Sequence, residues 1–291
     1  MFKKILLAAD SSPATEVLVS CVGELRNLGS THALIAQYFM IPERVAFPAE
    51  IEARIRRSLE PFAESLNQLG IPTEIIVEAG LPGLEIPRLA DQENCSLMVI
   101  GSRGHNFTSE IFLGGTAAEI LHRASRPLLI IRMNADLNTD QTLHAEKPCD
   151  FMRHILFPTD FSNHAEYAFE YLLEIAAQGA KQITLLHTQD MTRLKKHLEP
   201  RLDEFDAIDR QRLNVLKTRL EAVSNSVISV KLCHGSPIEE ILKEDQHASL
   251  IIMGTHGRGY INELFMGSIS HNTARHSSAP VFLIPKPFKK Q

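Results

Sequence analysis

The chain has 291 residues, 44% hydrophobic and 22% charged, a balance that belongs to folded globular proteins and excludes a disordered one. Its formal net charge of −5 argues against nucleic acid or an anionic membrane surface as the principal partner. No run approaches the ~18–20 apolar residues needed to cross a bilayer, which excludes a spanning helix.

The opening Met1-Phe-Lys-Lys-Ile-Leu-Leu-Ala-Ala-Asp10 has the look of a short leader, but only five apolar residues precede Asp10. The same pattern returns inside the chain, so the segment reads as a first β-strand over 4–9. Short apolar runs then alternate with stretches of helical period, predicting further strands near 33–38, 73–77, 97–100 and 127–131. Helices are predicted over 13–27, 49–69, 83–91 and 115–124. Ser12-Pro13 supplies an N-cap and a proline at the first helical position. From Met133 to Asp150 the chain is polar and without periodicity, which predicts a linker, bounded as 134–151. The alternation then resumes, with strands near 154–159, 183–188, 227–232, 249–253 and 280–284. Helices fall over 163–178, 192–223, 237–246 and 268–277, with Ser162 as a cap and Pro200 set to break or kink the long one.

The two halves are copies. Ile5 to Asp10 matches Ile155 to Asp160, and Gly80-Leu-Pro82 matches Gly235-Ser-Pro237. Ser96-Leu-Met-Val-Ile-Gly101 matches Ser249-Leu-Ile-Ile-Met-Gly254, and Pro127 to Ile131 matches Pro280 to Ile284. The aspartates are 150 residues apart and the glycines 153, so about three residues of indel separate the copies. This is an intragenic duplication. It predicts α/β domains over 1–133 and 152–288, each a doubly wound sheet of five parallel strands with right-handed crossovers.

In that topology a ligand crevice lies at the carboxyl ends of the strands. Asp160, Thr188 and Gly254 end three strands of the second half and share that edge. Gly254-x2-Gly257-x9-Gly267-Ser268 suits a loop that lays main-chain N–H groups around phosphates and then opens a helix toward them. Glycine is needed there if the backbone is to approach phosphate closely or take positive φ. Ser268 either caps the helix or bonds a phosphate oxygen. His256 and Arg258 flank Gly257, as Arg103 and His105 flank Gly104, and serve phosphate contact or face solvent. The nine histidines between 154 and 276 and the Cys233-His234 pair show no recognised zinc spacing, so no transition-metal site is expected. Cys21, Cys95, Cys149 and Cys233 form neither a CxxC nor a disulfide framework, which predicts reduced thiols and a cytoplasmic protein.

On these motifs the chain resembles the universal stress protein family over nearly its whole length, as a tandem pair with the Rossmann-like, adenine nucleotide α-hydrolase-like fold. Gly254, Gly257, Gly267 and Ser268 match the family's G-x2-G-x9-G-[ST] without departure, and Ile155-Leu-Phe-Pro-Thr-Asp-Phe-Ser162 and Thr184-Leu-Leu-His-Thr188 are similar to its ATP-binding branch. The resemblance implies that Pro158, Thr159, Asp160 and Thr188 hold adenine and ribose. It implies that Met253, Gly254, His256, Gly257 and Arg258, with Gly267, Ser268, Ile269 and Ser270, hold the phosphates of ATP (or ADP/AMP) together with Mg2+.

The first-half counterparts Ala8, Ala9, Asp10, Gly101, Gly104 and Gly114 form a degenerate copy. There Gly115 replaces the serine, with Thr116 next to it as a substitute. Tyr38 stands at the Thr188 position and fills the adenine slot or stacks against it. Glu119 replaces Asn272 and, facing the crevice, would repel phosphate.

The family's closing strand commonly mediates pairing, and the resemblance implies an intramolecular pseudo-dimer, with a homodimer as the further option. The implied role is a stress-response regulator working through nucleotide occupancy, and at most a slow ATPase, since no general base pairs with a nucleophile. A nucleotide-free dimerisation scaffold is the alternative. An ATP-pyrophosphatase ligase is disfavoured, because Asp10-Ser-Ser-Pro13 and Asp160-Phe-Ser-Asn163 lack the S-G-G-x-D-S type of loop.

Overall fold

The computed structural model describes residues 1–40, 48–102, 113–135, 143–145, 149–191, 201–257 and 266–285. They fall into two compact units, Met1–Cys149 and Asp150–Lys286.

In the first unit the elements run β1 (Lys4–Ala8), α1 (Pro13–Glu24), β2 (His32–Phe39), α2 (Pro48–Gln68), β3 (Thr73–Ala79), α3 (Pro82–Gln92), β4 (Leu97–Gly101), α4 (Gly115–Arg123) and β5 (Leu128–Ile131). The strands pair in parallel in the order β3-β2-β1-β4-β5. A short ribbon of β6 (Met133–Ala135) and β7 (Leu143–Ala145) follows, antiparallel. The second unit repeats the plan with β8 (His154–Pro158), α5 (Asn163–Ala177), β9 (Gln182–Asp190), α6 (Leu202–Glu221), β10 (Val227–Gly235), α7 (Pro237–Asp245), β11 (Leu250–Gly254), α8 (Ser268–His276) and β12 (Val281–Ile284). Its parallel order is β10-β9-β8-β11-β12. In each unit the winding reverses beside the first strand, between β1 and β4 and between β8 and β11, which opens the crevice there.

The central strands are apolar runs because helices cover both faces. Ile5, Leu6 and Leu7 of β1 and Ile155, Leu156 and Phe157 of β8 are buried. Phe157 meets Phe169 of α5 edge to face, with centroids 5.5 Å apart. Both leading helices begin as the sequence predicts. Ser12 Oγ accepts from the Ala14 amide and Ser162 Oγ from the Ala165 amide. α5 stops before Gly179, whose φ of +106° only glycine adopts readily. Asp245, at the end of α7, accepts from Ser277 Oγ and from the Ser278 and Ala279 amides, fixing the turn that launches β12. Asp91 does the matching work in the first unit, accepting from Ser125 Oγ and Arg126 Nε.

At the amino edge of the second sheet, His154 laces three strands. Its Nδ1 donates to the His247 carbonyl at 3.0 Å, and a carbonyl can only accept, so Nε2 receives the Thr184 hydroxyl at 2.8 Å. Thr184 Oγ1 in turn lies 2.8 Å from Ser229 Oγ. Burial holds the His154 imidazole below its ordinary pKa.

The segment predicted as linker carries the β6–β7 ribbon, whose three-residue strands are too short to show a period. Cys21 and Cys149 are disulfide-bonded, with Cα atoms 5.2 Å apart, whereas reduced thiols were expected. A separation of 128 residues leaves no spacing signature, and only the fold brings the pair together. The cysteine-based ground for a reducing compartment therefore falls away. Of the predicted 192–223 helix, Leu202–Glu221 forms α6, and 192–200, with Pro200, lies outside the described residues. Among the described residues no helix is long and apolar enough to cross a membrane.

Candidate functional site

The crevice of the second unit is built from the turn after β8, the end of β9, the turn after β11 and the start of α8. Thr159 continues β8 by donating its amide to the Leu186 carbonyl at 2.9 Å. The chain then bends. Asp160 Oδ1 accepts the Ser162 amide at 3.0 Å and Thr159 Oγ1 accepts the Phe161 amide at 3.1 Å. Between them Phe161 adopts φ +57°, a left-handed conformation that is costly for an aromatic residue. Ser11 holds φ +55° at the same place in the first unit. The bend belongs to the fold, whichever side chain occupies it.

The three motif glycines of the second unit converge, and an added Cβ would meet a close neighbour at each. None of them has positive φ. A Cβ on Gly254 would stand 2.9 Å from the His164 carbonyl oxygen in the first turn of α5. One on Gly257 would stand 2.7 Å from Asp160 Oδ2, and one on Gly267 would meet the Thr255 carbonyl at 3.3 Å and His256 Cα at 3.4 Å. Hydrogen bonds tie the same atoms together. The Gly267 amide donates to the Thr255 carbonyl at 2.9 Å, and the buried Ser270 hydroxyl donates to the Gly254 carbonyl at 2.9 Å.

Gly267 caps α8 with no side-chain bond, so the amides of the helix's first turn, at Ser268, Ile269 and Ser270, have no acceptor within the helix. Ser268 is exposed and Ile269 half-buried at that opening. Thr188 is half-buried at the end of β9, while Pro158 and Met253 are buried within β8 and β11, so that main chain rather than side chain faces the edge. Arg258 lies outside the described residues.

The first unit repeats part of this geometry. The Gly114 amide donates to the Ser102 carbonyl at 2.8 Å, and Gly114 caps α4 with backbone angles close to those of Gly267. Ala8 and Ala9 carry the end of β1 forward, and the Ala9 amide donates to the Ala36 carbonyl at 2.9 Å. Gly101 ends β4, and Gly104 with its neighbours Arg103 and His105 lies outside the described residues. The details diverge. Asp10 Oδ1 receives both the Ser12 amide and the Ser12 hydroxyl. The buried Tyr38 ring packs against Gly80 and Glu85, and desolvation, with Glu78 and Glu85 beside it, pushes its pKa up to about 12. Glu119 places its carboxylate over Gly83, in the first turn of α3, where the positive helix end attracts it.

Two residues at the second-unit site, His164 and His187, escaped sequence reasoning. His164 packs against His256 with ring centroids 5.0 Å apart, and the Oγ1 of Thr255, within the predicted 254–258 loop, lies 2.8 Å from His256 Nδ1. His187, one residue before Thr188, is buried beneath the bend with Asp209 of α6. A histidine inside the apolar run of β9 was the available signal.

Comparison with known proteins gives the family and the fold. The universal stress protein family model matches residues 1–132 and, a second time, 152–285. A universal stress protein of Methanocaldococcus jannaschii is 31% identical over 153 residues, covering 45% of this chain and 94% of its own length. One from Mycolicibacterium smegmatis is 23% identical over 300 residues and is covered to 96%, as is this chain. Among solved structures, a universal stress protein from Archaeoglobus fulgidus superposes with a TM-score of 0.74 at 23% identity, over 97% of this chain and 98% of that one, and so shares the fold. With both repeats matched and the same architecture in each, the chain belongs to the universal stress protein family as a tandem member.

Proposed function

We propose that the second unit binds an adenine nucleotide, ATP with ADP and AMP as competitors, and that the protein regulates a stress response through that occupancy rather than through turnover. The observation that carries the reading is the convergence of Gly254, Gly257 and Gly267 around the start of α8, whose first-turn amides have no acceptor within the helix. A polyphosphate needs a main-chain surface without Cβ atoms, and an anion is favoured at a helix N-terminus. In this reading residues 158–160 and Thr188 hold base and ribose, and Ser268 offers its hydroxyl. The Ser270 hydroxyl is already engaged with the Gly254 carbonyl, so it contributes its amide. Among the described residues no three His, Cys, Asp or Glu side chains gather as a metal site. Mg2+ is therefore proposed to be held mainly through the phosphates, with the Asp160 carboxylate beside the loop as its protein ligand.

For the first unit, the scaffold reading is favoured by Asp10, whose Oδ1 is already engaged twice by Ser12. Titration calorimetry of the full chain with Mg·ATP tests both units together. One site per chain is expected, lost in a Gly267→Asp variant that places a carboxylate in the cradle. Absence of heat, with no nucleotide released on denaturing the purified protein, would leave the scaffold as the function of both units.

A further inference from the structure

We propose that His187 is a positioning residue for this site, holding the 159–162 bend in its binding geometry from beneath, while Arg212 of α6, anchored on Asp209, grips the bend through the Phe161 ring. The proposal rests on the nucleotide reading above and deepens it.

The contacts close into a ring. His187 Nδ1 lies 2.7 Å from the Thr159 carbonyl, which can only accept, so Nδ1 carries the proton and donates. His187 Nε2 stands 3.4 Å from Asp209 Oδ2. Asp209 also accepts from Gln189 Nε2 at 3.1 Å and from Arg212 at 3.2 Å. The Arg212 guanidinium reaches back over the Phe161 ring, 5.4 Å from its centroid, and that ring lies 4.5 Å from the His187 ring. The Phe161 amide returns to Thr159 Oγ1. Each end of the strained Phe161 conformation is thereby gripped, one by hydrogen bonding and one by stacking.

The duplication supplies an internal control. At the same register the first unit has Gln37 for His187 and Ser11 for Phe161, and the Ser11 hydroxyl donates to Gln37 Oε1 at 2.6 Å. The same bend therefore forms there on a neutral, local contact. Burying a histidine and a carboxylate costs free energy that the fold does not demand. The ring occurs in the unit whose bend carries Pro158, Thr159 and Asp160, and it fixes the Thr159 carbonyl, one residue from Asp160. A site held within fractions of an ångström needs such support from behind.

Two substitutions separate the roles. In His187→Asn the amide nitrogen takes the place of Nδ1, keeping the bond to Thr159 and losing the reach to Asp209. In His187→Gln the polar group moves to the Nε2 position and the Thr159 bond is lost. Calorimetry with Mg·ATP on the full chain is expected to give an affinity within about threefold of wild type for Asn and weaker by about tenfold for Gln. Arg212→Ala, at a half-exposed side chain, removes the stacking grip without opening the core and is expected to weaken binding by severalfold. Hydrogen exchange of the nucleotide-free protein is expected to speed at the 159–162 amides in the Gln and Ala variants and not in Asn. Equal affinity and equal exchange in all variants would overturn the proposal. Wild type that binds no Mg·ATP overturns the nucleotide reading, and the proposal falls with it as a statement about a binding site. The exchange data then show only whether His187 holds the bend.

Discussion

Gly254 and Gly257 stand three residues apart in one loop, yet a methyl group added to each meets a different obstacle. At Gly254 it strikes the backbone of α5, which cannot yield without moving the helix start. Gly254→Ala is therefore expected to destabilise the second unit by about 1–3 kcal/mol, visible as a lowered urea midpoint with unchanged slope. At Gly257 the obstacle is the far end of the Asp160 side chain, which can swing away. Gly257→Ala should leave stability within about 0.5 kcal/mol of wild type while weakening Mg·ATP in calorimetry, because the displaced carboxylate is the one proposed to meet the cation. A large loss of stability in Gly257→Ala, or unchanged binding, would contradict the placement of Asp160. Sequence spacing marked all three glycines as special. It could not say what Gly254 and Gly257 face, because those atoms come from α5 and from the bend after β8, about a hundred residues earlier in the chain.

Among the elements, β8 and α5 show how much the sequence made legible. The strand, the Ser162 cap and the helix are written in local pattern, and they form as predicted. What lies across the sheet is not written locally. His154 looks like a polar residue opening a strand, yet it is buried and bonded to Thr184 and to the His247 carbonyl. Its folded pKa lies below the unfolded value of about 6.5, so the unfolded chain takes up a proton more readily. The stability it contributes is complete well above that unfolded value and is lost as pH falls through it toward the folded pKa. Stability to urea is expected to fall from about pH 7.5 to 5.5 in wild type and to fall less in His154→Gln, whose side chain does not titrate. Identical pH slopes would show that the lacing does not depend on a neutral imidazole. At the other end of the core, Phe169→Ala removes the ring packed on Phe157 and should cost about 3–5 kcal/mol. A cost below about 1 kcal/mol would show that α5 holds its place by other contacts.

At the scale of the whole molecule the duplication was the feature most fully visible, because it survives in glycines, prolines and strand-end aspartates that tolerate few replacements. The two copies keep one architecture and differ in what fills it. Tyr38, Glu119 and the Asp10–Ser12 contacts occupy the first unit, while the His187 ring supports the second. The cysteine pair was illegible for the opposite reason, since its partners are far apart in sequence and share no motif. Reduction of Cys21–Cys149 is expected to lower the stability of the first unit by about 2–4 kcal/mol and to leave the second unchanged, read as a shift in one of two calorimetric transitions. A Cys21→Ser variant should melt like the reduced protein and ignore added reductant.

That bond has a consequence for handling the protein. It staples residue 21 to residue 149, so nearly the whole of the first unit lies inside one covalent hoop. A protease that nicks the chain once anywhere within the hoop produces two pieces that still migrate as one, and only a thiol in the gel buffer parts them. A single cut beyond residue 149 releases its fragment at once, so paired gels with and without reductant report which unit was clipped.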